Sequence, residues 1–149
     1  MNRRHVSALL STALLLAGSV SAQAAECLPT ARQAWIRLPP SPAMPMMAGF
    51  LRIENACAAQ VEITGADSPA FAEVSLHESR QIDGVNRMRE LDSLPVAAGK
   101  SVEFKPGGLH LMLYKPHAPV QEGDKPVITL KLKDGRSVPV TFEVRRAAP

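Results

Sequence analysis

Four residues in this chain carry an unusual pair of chemistries: His77, Met88, His110 and Met112. Their spacing reads His-x10-Met-x21-His-x-Met. Two imidazoles and two thioethers make a neutral, partly soft donor set. Thioether sulfur favours Cu(I) over Zn, Mg or Ca among common biological metals. If the four converge, one Cu(I) ion is the cargo they fit.

The strand pattern bears on that convergence. In a strand, alternate side chains point to opposite faces. Over Leu109–Tyr114 the three leucines share one face, and His110, Met112 and Tyr114 share the other. The leucines are the expected core, so His110 and Met112 lie together on the opposite side. In Ala72–His77, Val74 and Leu76 point one way, Ser75 and His77 the other. Asp83-Gly84 is a strong two-residue hairpin signal. A turn there pairs His77 with Glu90 and Ser79 with Met88. His77 and Met88 then become diagonal neighbours on one face, within reach of long side chains. How this hairpin meets the Leu109 strand is not readable from the pattern. For each residue alone the plain reading stands beside this one: methionine fills cores, and a lone strand histidine is usually solvated or satisfied.

The rest of the chain is organised around short alternating runs. Expected strands are Ala34–Leu38, Gly49–Glu54, Val61–Ala66, Ala72–His77, Asn86–Leu91, Ser101–Lys105, Leu109–Tyr114, Val127–Lys133 and Ser137–Arg145. Gly, Pro, Asn and Asp turn signals separate them, and no helical periodicity competes. This spacing predicts an all-β antiparallel sandwich or barrel. Trp35, the single tryptophan, reads as core.

Residues 1–24 read as a secretory signal peptide: Arg3-Arg4, an apolar stretch from Ser7 to Val20, then Ala22-Gln23-Ala24 as a cleavage site. Residues 25–149 are then one domain, expected to be exported and soluble in a periplasm. No lipobox precedes Cys27, so no lipid anchor is expected, and no later segment could span a membrane. Two of the 17 basic residues lie in the leader, and the others nearly balance the 14 acidic ones. No basic run exceeds two residues, which leaves nucleic-acid binding without support.

Cys27 and Cys57 are the only cysteines. In an exported protein they are expected to form a disulfide. A thiol redox pair or a metal thiolate are the functional alternatives, but neither cysteine lies in a CxxC or near the His/Met set. Met44, Met46 and Met47 cluster in a Pro-rich stretch. They read as loop residues packing on the core, with auxiliary soft ligands or a hydrophobic cover as alternatives. His117 reads as a surface residue. Carboxylates are scattered, and Ser75 and Ser79 make no nucleophile motif, so no enzyme is expected.

The four-residue spacing resembles the signature of the periplasmic copper chaperones called PCu(A)C. The flanking residues agree: Val74-Ser75-Leu76-His77-Glu78, Asp83-Gly84-Val85, Met88-Arg89, and Lys105-Pro106-Gly107-Gly108 leading into Leu109-His110-Leu111-Met112-Leu113. Ala34-Trp35-Ile36-Arg37 and Glu122-Gly123-Asp124 extend the similarity over nearly the whole domain. The resemblance implies a cupredoxin-like Greek-key β-sandwich holding one Cu(I) through His77, Met88, His110 and Met112. It further implies delivery to the binuclear CuA centre of cytochrome c oxidase, on subunit II, alongside Sco-type proteins. Some members add Cu(II) binding through a His- and Met-rich C-terminal tail. No such stretch follows Arg145, so that second site is not expected. A blue-copper carrier would need a Cys ligand beside its histidines, and neither cysteine is so placed. Two other classes remain open: a copper buffer that never donates its ion, and a metal-free interaction sandwich.

Overall fold

The computed structural model describes residues 27–41 and 43–146. The expected signal peptide lies outside the described residues. Eleven strands follow one another: β1 Thr30–Arg37, β2 Met46–Glu54, β3 Val61–Asp67, β4 Phe71–Ile82, β5 Val85–Glu90, β6 Leu94–Val96, β7 Ser101–Phe104, β8 Leu109–Pro116, β9 Val127–Leu132, β10 Ser137–Thr141 and β11 Glu143–Arg145. Among the described residues there is no helix.

Hydrogen bonding runs through the strands in the order β10-β9-β3-β4-β8-β7-β2-β1-β11, with β5 on β4, β6 on β3, and a direct β8–β2 pairing. Long crossovers such as β3–β9 and β4–β8 give the sheet its Greek-key character. The expected sandwich was antiparallel throughout; the sheet is in fact mixed. β1 pairs with β11 in parallel, and β7 with β8 through Phe104↔Leu109. β1 and β11 lie far apart in the chain and meet with no hairpin between them, while β7 and β8 both run antiparallel to β2, as two segments of one line broken at Pro106-Gly107-Gly108, and so share a direction.

The sheet curls over one apolar interior. Ile36, Ile63, Leu111, Leu113, Ile128, Phe142 and Val144 are fully enclosed there. β9 and β10 show the alternation of strands with one wet face, as in the pattern from Ser137 to Thr141. β4 departs from it: Val74, Ser75, Leu76 and His77 are all buried in a row. Successive residues on a strand can all be buried only if both faces are covered. The inner face packs on the core, and the outer face must be covered by something else.

The same outer face carries an aromatic pair farther along the sheet. Trp35 and Phe50 stand opposite each other on β1 and β2, with ring centroids 4.7 Å apart. Trp35 is buried, as its size predicts, but here and not in the main core. The Arg37 guanidinium lies 5.4 Å from the Phe50 ring centre. Cys27 and Cys57 form a disulfide with Cα atoms 5.7 Å apart, tying the start of the described chain to the loop after β2.

Candidate metal centre on the outer face of the sheet

The β4–β5 hairpin brings the first two residues of the set near each other. Asp83 and Gly84 both take positive φ, 50° and 76°, as the expected two-residue turn requires. The pairing follows: His77↔Glu90 and Ser79↔Met88. The step the pattern left open is the pairing of β4 with β8, which places His77 directly opposite His110 and Ser75 opposite Met112. The two imidazoles stack with ring centroids 5.8 Å apart and 28° between planes.

His110 is oriented by the turn before it. Pro106-Gly107-Gly108 makes the tight turn that launches β8, with Gly107 at φ 78°. The Gly108 carbonyl takes the Ser79 backbone N–H at 3.0 Å and contacts His110 Nδ1 at 2.9 Å. A carbonyl can only accept, so His110 Nδ1 donates this hydrogen bond, and in the neutral ring the lone pair is on Nε2. His77 Nε2 lies 2.9 Å from the Ser75 hydroxyl. With Nε2–H donating to Ser75 Oγ, the lone pair is on Nδ1. That Nδ1 is the buried side-chain polar atom left without a hydrogen-bond partner among the described residues. Such an orphan costs free energy unless something fills it. Burial holds the His77 pKa below its ordinary value, the neighbouring His110 charge adds to this, and Glu90 and Glu73 act against it. Burial thus favours the neutral form of His77, the form in which imidazole binds a metal.

Three of the four residues are buried together: His77, His110 and Met112 are each less than a tenth exposed. Met88 is different. It is 55% exposed, on a hairpin that projects past the sheet, and lines an open cleft of about 670 Å³ together with His110 and Met112. Ser75 and Gly108 are the site residues the spacing did not reveal. Each lies two positions before a histidine on the same face, and that periodicity is the signal that could have found them. Met46 and Met47 belong to β2, not to a loop. Met47 faces the core, Met46 is half-buried, and Met44 is exposed at the cleft rim. His117 is exposed, as expected. The cystine sulfurs are bonded to each other and are not free donors.

The family described as "Putative lipoprotein LpqE-like" matches residues 30–144. The protein named "Putative lipoprotein Lxx21020" from Leifsonia xyli subsp. xyli is 32% identical over 114 residues, covering 76% of this chain and 67% of that protein. Among solved structures, the copper-bound PCuAC domain from PmoF2 superposes with a TM-score of 0.65 at 18% identity, over 80% of this chain and 93% of that domain. The solution structure of Cu(I)-DR1885 from Deinococcus radiodurans gives 0.60 at 24%, over 87% and 85%. The chain belongs to the LpqE-like family, and its fold is the cupredoxin-like fold of the PCuAC domains.

Proposed function

We propose that this LpqE-like protein is an exported copper carrier that holds one Cu(I) through His77, Met88, His110 and Met112. The observation that carries the reading is the buried pair His77 and His110, face to face, with an unpartnered Nδ1 on His77 and a thioether two residues along. Two imidazoles and two thioethers suit Cu(I) without thiolates. That matters outside the reducing cytosol, where paired thiols are lost to disulfides, as Cys27 and Cys57 are here. The copper-bound PCuAC domain and Cu(I)-DR1885 share this fold, which supports the same cargo.

The placement of Met88 supports transfer over storage. One neutral ligand on an exposed hairpin can leave first, and the acceptor's ligand can take its place. By resemblance the acceptor is the CuA centre of cytochrome c oxidase subunit II, with Sco-type proteins working alongside. No helix among the described residues is long and apolar enough to cross a membrane. We place residues 1–24 as the export signal and 25–149 as the single copper domain, acting in the periplasm.

Anaerobic competition against a Cu(I) chelator tests the cargo. One equivalent of Cu(I), held far more tightly than Zn(II), is the expected result. A preference for Zn(II) overturns the reading. Mixing the loaded protein with an apo CuA domain tests delivery; copper that stays behind marks a buffer.

A further inference from the structure

The outer face carries more soft donors than the His/Met set uses. Met44 and Met46 line the same cleft as Met88, His110 and Met112. Register fixes where Met46 stands. It lies opposite Tyr114, and Ala48 lies opposite Met112. Met46 is therefore the diagonal neighbour of Met112 on one face, at a separation that long side chains bridge. Between them the Ala48 methyl is small and leaves the cleft open. Two residues earlier, Met44 stands at the rim, 42% exposed, its backbone N–H held by the Ser41 carbonyl at 3.1 Å. Met47 also touches the cleft, but it is buried within the main core cluster and is not counted in this group. Thioethers thus run in a line across the face, from Met88 past the histidines to Met112, Met46 and Met44.

We propose that Met44, Met46 and Met112 form a second, weaker site for a soft monovalent ion, Cu(I) or Ag(I). Met112 is shared with the His/Met set, so an ion can pass between the two positions by exchanging one ligand at a time. The sharing rests on the copper reading above; the second site itself rests on the three thioethers. Neutral thioethers alone select a soft ion and discriminate against Zn and Mg. Lacking imidazole, this position holds its ion less firmly than the first. Two cations also line the cleft, which weakens it further, though each is engaged: Arg37 over the Phe50 ring and Arg146 with Glu122 at 3.1 Å.

The test is a titration with Ag(I), a redox-inert stand-in for Cu(I), of protein labelled with 13C at the methionine methyls. The first equivalent is expected to move Met88 and Met112. The second is expected to move Met44 and Met46, and Met112 again, leaving Met47 in place. In the double variant Met44→Leu with Met46→Leu the second phase disappears and the first survives. Met44→Leu alone, at an exposed position, weakens the second phase with no effect on the fold. Met44 and Met46 signals that stay still in excess Ag(I) overturn the proposal, as does their movement within the first equivalent together with Met88. If Met44, Met46 and Met112 respond while Met88 does not, the four-residue reading falls and this site stands.

Discussion

At His77 the two ring nitrogens meet different surroundings. Nε2 has the Ser75 hydroxyl, and Nδ1 has nothing. Where Nε2–H donates to Ser75 Oγ, a further proton on Nδ1 makes a buried imidazolium, and burial holds the His77 pKa below the ordinary 6.5, with the His110 charge next in effect. The folded protein therefore binds a proton at His77 less readily than the unfolded chain does. The stability that depends on neutral His77 is complete above pH 6.5 and is lost as the pH falls below it. We expect the apo protein to unfold more easily in denaturant as the pH drops towards about 5, and His77→Gln to flatten that dependence. Identical pH slopes in the two proteins would show that His77 is not the group responsible. The methionines separate function from packing. Met88→Leu and Met112→Leu keep volume and apolarity, and such swaps cost less than about 1.5 kcal/mol of stability. Copper affinity should fall steeply in both. For Met88, more than half exposed, the apo melting temperature should not move at all; a large drop there would mean it packs in a way its exposure denies. Ser75→Ala should leave the ligands in place but release the His77 ring. Groups that orient a metal-binding histidine typically contribute about 10–100-fold in affinity, and chelator competition reads that loss directly.

The element that places Met88 on the same face as the histidines is the β4–β5 hairpin. Its register was legible in the sequence because Asp-Gly demands one turn type, and a two-residue turn leaves no freedom in pairing. The faces of β8 were legible because three leucines mark the core side. The pairing of β4 with β8 was not, because the chain between them passes through three other strands and no local signal chooses a distant partner. β1 starts earlier than its alternation implies, since a bulge with Gln33 at φ 53° breaks the period. β6 is three residues with Pro95 in the middle, too short for any period to show. The hairpin yields its own prediction. A Cβ at Gly84 would meet no atom within 4 Å, but φ there is 76°. Gly84→Val is therefore strained only by its backbone, by about 1–2 kcal/mol for the left-handed conformation. The strain falls on a projecting hairpin whose base is held by Glu78 with Arg80 and Arg89. We expect the turn to relax and carry Met88 out of register, lowering copper affinity, while the His77–His110 pairing deeper in the sheet persists. Amide exchange should rise over Val85–Glu90 and stay low over β8. If protection is lost equally in both strands, the hairpin and the sheet are one cooperative unit and the argument fails.

Across the whole molecule, the candidate metal centre and the cystine lie at different ends of one strand. β2 begins at Met46, beside Met112 and Tyr114, and ends at Glu54, beside Ser101. Cys57 follows that far end, in a loop where buried Asn55 accepts the Cys57 N–H at 3.1 Å and donates to the carbonyls of Ala59 and Val96. The disulfide closes a loop of 30 residues, which spans β1 and β2. Crosslinking a loop of this size stabilises by about 3–4 kcal/mol, chiefly by restricting the unfolded chain. That effect does not act through the geometry of β4 and β8. Replacing Cys27 and Cys57 together by serine should therefore lower the unfolding free energy, read from denaturant curves, by an amount in that range and leave Cu(I) stoichiometry at one. Asn55 keeps its other partners, so the loop should hold its shape in the folded state. Reduction of the unmodified protein should reproduce the loss. A double-serine variant that stays folded but no longer holds copper would place sulfur from the cysteines in the metal centre, and the four-residue assignment would have to be abandoned.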